Sequence, residues 1–544
     1  MKRMFAILLA LALALSLMAC GTSGGSTNTN TDTTTNTSTD AEGTTAPTAS
    51  LLATTVEAPD LTDATVILLG GDTVQITGSG AAEENGTVTI TDGGVYVIKG
   101  TLDDGRVVVN ASGEDVTLAL ENADITCPDS SPLYIYKAAS VLLWLPEGST
   151  STLTDGGSYT FGDALSSAEE DEPNACLYSK ADLIVAGTGG LTVNGNYNNG
   201  VTSKDTLVID GPALTVSAAN NGVTGKDSCT VNGGAVTVTS VGKGLKSDGE
   251  LLLESGTFIM DCEDDAFHSN CDVTVTGGSY TVAAGDDAFH ADGALTVSGG
   301  TVDITKSYEG LEGATVDITG GTLSIVASDD GINAAGGDGE NVPGQANSDY
   351  WIHVSGGVIT VDAGGDGIDS NGDILVSGGE LYISGSTGDG DSAIDCDGDA
   401  SVTGGVVVAA GSSGMAQNFG ASSTQGSILV TFSTGSTEQV TLTDSSGAVL
   451  ASFTPAKRYT CVVISTPDVV QGGTYTITAG SQSQTVTMDS LIYGTGMGFG
   501  NMGSMGGMGV FHGRDIPSDF DPSQQGGGFP GGQRPSGDPP TKPN

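Results

Sequence analysis

The chain has 544 residues, with 66 acidic side chains against 16 Lys and Arg, a formal net charge of −50. Such a charge repels nucleic-acid phosphate and anionic surfaces, which argues against a DNA or RNA partner. Apolar residues make up 37%, enough for a core, and aromatics only 5%, so aromatic-lined pockets are few.

Lys2 and Arg3 precede an apolar stretch, Phe5 to Met18, that is too short for a comfortable bilayer span. The sequence then reads Leu17-Met18-Ala19-Cys20, which resembles a bacterial lipobox. It implies a signal peptide over 1–19 and a lipidated Cys20 holding the protein on the extracellular face of the cell membrane. The alternative is an ordinary signal peptide with an incidental cysteine. Residues 20–55, largely Thr, Ser, Asn, Gly, Asp and Ala, read as a flexible tether.

Runs such as TVQITG, VYVIKGTL and DVTLALENADIT alternate apolar and polar residues from about residue 60 and read as strands. A period of 22 follows. Val201, Val223, Leu245, Phe267, Phe289 and Leu311 are spaced at that interval, with Ile332, Ile368 and Ile394 continuing at 21, 36 and 26. Gly-Gly turns recur between β-rich runs, as in ALTV–SGG–TVDI. A propeller blade needs about 40–45 residues, whereas this repeat fits one coil of a solenoid. The expected fold is all-β: a parallel β-helix over 56–420 with coils of roughly 22 residues. A small β-sandwich-like module closes it over 425–490, and a Gly/Met/Pro-rich tail over 491–544 reads as disordered. Seven cysteines follow Cys20 without a zinc spacing; Cys262 and Cys271 flank a short loop and are candidates for pairing, although a mostly reduced set is the default reading.

Aligned on the apolar marker, the turns read NNGVT, NNGVT, GKGLK, DDAFH, DDAFH, YEGLE, DDGIN, GDGID and DSAID. The third and fourth columns are structural, a tight turn and then a core residue, which places Phe267 and Phe289 inside. The other columns become acidic along the chain. Two carboxylates one strand spacing apart repel by roughly 3 kcal/mol at an effective dielectric near 20. From Asp261 to Asp399 there are 27 acidic residues and one basic residue, Lys306. A calcium ion, bound by oxygens at about 2.3–2.6 Å, bridges carboxylates on adjacent coils. The candidate metal ligands are Asp264, Asp265, Asp286, Asp287, Asp329, Asp330, Asp366, Asp369, Asp391 and Asp395. The plain alternative is a solvated acidic face with Asp chosen for turns. His268, His290 and Glu309 are candidate carbohydrate contacts. So are Tyr350 and Trp351, which belong to the long interval between Ile332 and Ile368; insertions in solenoids emerge on one face, often the binding face.

EDEPNACLYSKADL, NYNNGVTSKDTLVI, the DDAFH pair and DDGIN/GDGID, with the lipobox and tether, together resemble a family of bacterial secreted carbohydrate-binding β-helix proteins. The resemblance covers roughly residues 60–415. It implies a calcium-loaded parallel β-helix, similar in shape to pectate lyases, that binds plant cell-wall polysaccharide, either acidic pectin or cellulose-like glucan. The lyases' D-D-G-x-D signature is matched only in part: Asp329-Asp330-Gly331-Ile332 ends in Asn333, and Asp366-Gly367-Ile368-Asp369 lacks the first Asp.

The expected function is therefore calcium-dependent, non-catalytic polysaccharide binding at the cell surface. A calcium-dependent lyase is one alternative, although no Lys or Arg occurs between Lys306 and Lys457 to serve as base in the later coils. A structural adhesin stiffened by calcium is another.

Overall fold

The structure is a computed structural model that describes residues 56–336 and 346–496. Among these residues there is no helix; of the strands, two to thirteen residues long, most wind into one continuous parallel solenoid. The expected signal peptide, Cys20, the tether and most of the tail lie outside the described residues, as do Asp338, Glu340 and Asn341 of the long interval.

The winding follows from the period. Each apolar marker pairs in parallel register with the next, from Val201 with Val223 through Phe267 with Phe289 to Ile368 with Ile394. The 21-, 36- and 26-residue intervals change loop lengths without breaking the register. Upstream the same column continues through Val107, Leu133 and Leu177. Each coil carries three strands, and so the solenoid has three faces. The first face carries the marker, for example Phe267–Ser269. The second is represented by Val273–Val275 and the third by Ser279–Ala284. Alternation sends every second side chain inward, so Val, Leu, Ile and Phe stack on their own kind above and below. Phe267 and Phe289 stack inside at 4.6 Å between centroids, with Phe258 and Tyr280 stacked beside them at 4.5 Å.

The Gly pairs turn the chain from the second face to the third. Gly278 and Gly300 adopt φ of 97° and 93°, a region that disfavours side chains. Their partners Gly277 and Gly299 lie against carbonyls of the coil below, where a Cβ would come within 2.7 and 2.5 Å.

At the C-terminal end the parallel pattern stops. Val406–Gly411 pairs antiparallel with Tyr459–Ser465, which also pairs antiparallel with Ser427–Ser436. Val440–Asp444, Val449–Phe453, Thr474–Ala479 and Gln482–Thr487 form a separate four-stranded antiparallel sheet. Its apolar side, with Leu442 and Ile477, packs against Val408 and Ile464. This packing covers the exposed edge of the last coil. Cys262 and Cys271 form no disulfide, and Cys262 points into the core.

One feature of the early coils was hidden by their irregular sequence. Leu133 and Leu177 are neighbours in the marker column although 44 residues separate them. The surplus, residues 156–174, folds back over the first face: the Tyr134 hydroxyl donates to the Leu165 carbonyl at 2.9 Å, and Arg106 pairs with Asp163. The outward residues Tyr134 and Tyr178 are thereby buried under it.

Candidate functional site

Beyond this cover, the outward residues of the first face form a ladder. It runs Thr202, Thr224, Lys246, His268, His290, Glu312, Asn333, Asp369 and Asp395, each paired with the next. The turn preceding each strand supplies a second ladder: Asn199, Asn221, Lys243, Asp265, Asp287, Glu309, Asp330, Asp366 and Ser392.

Several turn residues use one oxygen to hold the fold. Asp265 Oδ1 accepts the Asp287 backbone N–H at 3.1 Å, and Asp287 Oδ1 accepts that of Glu309 at 3.2 Å. Asp330 Oδ1 accepts from Asp366 N–H at 2.6 Å, and Asp366 Oδ1 accepts from Ser392 N–H. Asn199 and Asn221 do the same with amide oxygens. Aspartate and asparagine serve these turns because a short side chain reaches the next coil's backbone donor. The second carboxylate oxygen remains for chemistry.

In the middle coils that oxygen meets a cation. Lys243 Nζ lies 2.5 Å from Asp265 Oδ2 and 3.1 Å from Asp264 Oδ1. His268 Nδ1 is 2.9 Å from the same Asp265 oxygen. His290 Nδ1 sits 3.1 Å from Asp287 Oδ2 and 2.6 Å from Glu312 Oε2. The two imidazoles stack at 4.8 Å. Burial alone would raise Asp265, yet His268 and Lys243 outweigh it and hold the carboxyl well below its ordinary range. Burial likewise opposes charge on His290, but Asp287 and Glu312 push it up to about 11.

In the later coils, among the described residues, no lysine, arginine or histidine pairs with Asp330, Asp366, Asp369 or Asp395; Lys457 pairs with Asp362 instead, and Asp395 accepts from the Gln417 side-chain amide. One oxygen each of Asp366, Asp369 and Asp395 lies within 4.8 Å of the others. Burial, reinforced by their carboxylate neighbours, pushes Asp366 up to about 9, Asp369 up to about 8 and Asp330 up to about 7. Asn333 donates through Nδ2 to Glu309 Oε2 at 2.9 Å, leaving its own buried Oδ1 without a partner. This donor set is all oxygen, and oxygens no farther apart than 4.8 Å can reach one ion with metal–oxygen distances of about 2.3–2.6 Å. Asp366, Asp369 and Asp395 therefore fit calcium.

The structure thus gathers Asp264, Asp265 and Asp286 into one group, and Asp366, Asp369 and Asp395 into another. Asp287 groups with His290 and Glu312, whereas Asp329, Asp330 and Asp391 join no such group among the described residues. Asp391 instead accepts from the Ser386 hydroxyl at 3.1 Å. Glu309 belongs to the turn ladder, where burial and the neighbouring Glu312 and Asp287 push it up to about 9. Tyr350 is partly buried against the core. Trp351 is 40% exposed, but it belongs to the second face, between Thr315 and Asp373 in register. Its indole N–H donates to Asp317 at 3.3 Å. An exposed aromatic residue does stand among the acidic turns: Tyr308 is 42% exposed, bonded through its backbone to Asp286 and Asp329 on adjacent coils. The aligned segment YEGLE carries the signal for it, an aromatic in a column otherwise of Asn, Asp and Gly.

Residues 84–337 match the family described as carbohydrate-binding domain-containing protein. The matched segment takes in the middle coils and ends before Asp366. A curated protein of Acetivibrio thermocellus, also named carbohydrate-binding domain-containing protein, is 39% identical over 132 residues, 24% of this chain. The chain spans 45% of that relative's length. A solved structure described as the polysaccharide lyase-like protein from C. thermocellum, gadolinium derivative, aligns at 32% identity with a TM-score of 0.42. The alignment covers 43% of this chain and 96% of that one.

Proposed function

We propose that this protein is a non-catalytic, lipid-anchored solenoid that binds acidic plant cell-wall polysaccharide through calcium. The observation that carries the reading is the group Asp366, Asp369 and Asp395, three carboxylates converging with no cationic partner among the described residues. Left bare, they would repel a polyuronate as well as each other. Calcium held there supplies the positive charge and open coordination positions that a sugar carboxylate or hydroxyl takes up. The protein's own residues fix the oxygens: Asp330 and Asp366 are pinned by the backbone donors they accept, and Asn333 contributes a neutral oxygen one coil away. In the middle coils Lys243 already sits between Asp264 and Asp265, so a metal there has to displace the ammonium.

Lys243 also bears on the lyase alternative. Burial opposes its charge, but Asp265 and Asp264 outweigh it and raise its pKa, so it is a poor base for abstracting a sugar proton. Calorimetry of polygalacturonate binding across a calcium titration tests the reading, alongside ultraviolet absorbance during long incubation. Binding that grows with calcium and a flat absorbance are expected. Equal binding in EDTA and in calcium overturns the metal role, and rising absorbance abolished by Lys306→Ala makes the protein a lyase. Anchoring is tested separately: Cys20→Ala is expected to release the protein from the membrane fraction.

A further inference from the structure

The other end of the ladder has the opposite chemistry. Of the Lys and Arg in the whole chain, five fall on consecutive coils here: Lys180, Lys204, Lys226, Lys243 and Lys246. Lys180, Lys204 and Lys226 end successive first-face strands. Backbone bonds hold them one above another, Lys204 N–H to Ser179 carbonyl at 2.8 Å and Lys226 N–H to Ser203 carbonyl at 3.0 Å. Lys180 and Lys204 share the carboxylate of Glu172 from the folded-back segment. Lys226 is exposed and has no ion-pair partner among the described residues. Asp205 and Asp227 follow on the same turns, and neither forms an ion pair with a lysine there.

Two residues before Lys204 and Lys226, on the same side of the strand by alternation, stand Thr202 and Thr224. Both hydroxyls are buried and unpartnered, with Thr202 only 6% exposed. A buried hydroxyl left without a partner is costly, so these two atoms call for a hydrogen-bonding guest. The turn ladder beside these threonines is neutral here, with Asn199 and Asn221 accepting the next coil's backbone N–H groups. In the coils that follow, the equivalent pairs close on each other instead: Lys246 with Asp248 at 3.2 Å, His268 with Asn270 at 2.8 Å and His290 with Asp292 at 3.2 Å.

We infer that Lys204, Lys226, Thr202 and Thr224 form a second, metal-free subsite that binds the carboxylate and hydroxyls of a uronate-containing glycan directly. Ammonium groups meet the sugar carboxylate, and the threonines and asparagines meet hydroxyls. Donors recurring at the strand spacing of about 4.8 Å suit a polymer lying along the ladder. The inference rests on the reading that the ligand is an acidic polysaccharide, but not on calcium.

The test is calorimetry with an oligogalacturonate and its fully methyl-esterified counterpart, in EDTA at low salt and again in calcium. In EDTA the wild type is expected to bind the free acid at least tenfold more weakly than in calcium. The variant Lys204→Gln/Lys226→Gln is expected to lose at least a further tenfold, and Lys204→Arg/Lys226→Arg to retain binding. The ester is expected not to bind, and added salt to weaken the free acid. Lys99→Gln, a surface lysine paired with Glu121 elsewhere, controls for net charge; thermal melting controls for folding. Equal EDTA affinity in wild type and the Gln variant overturns the subsite, as does an absence of wild-type binding in EDTA while binding in calcium persists. Absence of wild-type binding in both conditions overturns the acidic-polysaccharide reading with it.

Discussion

Two stretches of one ladder share a backbone and differ in how they settle charge. From Asp264 to Glu312, four outward carboxylates reach a lysine or histidine within the fold: Asp264 and Asp265 have Lys243, while Asp287 and Glu312 have His290, and Glu309, which meets Asn333, is the exception. From Asp330 to Asp395 the same positions carry Asp330, Asp366, Asp369 and Asp395 with the neutral Asn333 and Ser392, and no cation pairs with these acids among the described residues. The solenoid makes this contrast possible, because backbone pairing and inward stacking carry stability while the outward columns vary freely. The first stretch is electrostatically finished by protein, and the second by something the protein must acquire.

Core substitutions should not distinguish the stretches. Phe289→Ala and Ile368→Ala both empty fully buried positions, and each is expected to cost about 3–5 kcal/mol in denaturant unfolding, with or without calcium. Unequal dependence on calcium would mean that the metal site is coupled to the packing.

The next largest effect is at Lys243. Lys243→Gln leaves the buried Asp265 carboxylate without its ammonium, at an expected cost of about 2–3 kcal/mol, discounted for partial exposure of the lysine. Calcium is expected to restore part of the loss by turning this stretch into a copy of the later one; no calcium effect on the variant would break the comparison.

The pH dependence should be opposite in sign to that of an ordinary ion pair. Asp366 and Asp369 have folded pKa values raised above the unfolded range by burial, so the folded state binds more protons. Metal-free stability is therefore full below about pH 4 for these groups and falls as pH rises to about 9, by at most about 1.4 kcal/mol per pH unit for each carboxylate. Calcium, which binds the deprotonated form, should flatten or reverse that slope. His290 acts in the same direction over a higher window: its raised pKa gives stability that is full below about 6.5 and is lost as pH rises from there through about 11. Melting curves from pH 4 to 10 in EDTA and in calcium separate the two.

The fold was legible in the sequence because a solenoid writes its register as a period. The markers from Val201 to Ile394 pair as their spacing requires, even across intervals of 36 and 26 residues. The cover over 156–174 was not legible, since an insertion of a full coil's length keeps strand-like flanks and gives no mark of folding back. Within the site, the in-register acids were visible as columns. What sequence could not give was which carboxylates already have partners: Lys243 meets Asp265 and Asp264 from the coil before theirs, a contact made by side-chain reach. Trp351 stands out in the sequence as a rare aromatic beside an insertion, yet its coil position assigns it to the second face; Tyr308 lies in the acidic column itself, where by pattern alone it reads as an exception. The smallest expected effect tests that contrast. Tyr308→Ala should weaken polygalacturonate binding about threefold to tenfold, the order of one lost aromatic contact, whereas Trp351→Ala should leave it unchanged.

The central claim is that the later stretch holds calcium and the middle stretch, as folded, does not need it. Calorimetric calcium titration of the protein without glycan addresses it directly, comparing wild type with Asp366→Asn/Asp369→Asn. The account predicts saturable calcium binding by the wild type and its loss in the double variant, which should itself melt higher than wild type in EDTA at neutral pH because the fold no longer has to hold two buried carboxyls protonated far above their unfolded pKa. Undiminished calcium binding by the double variant would contradict it.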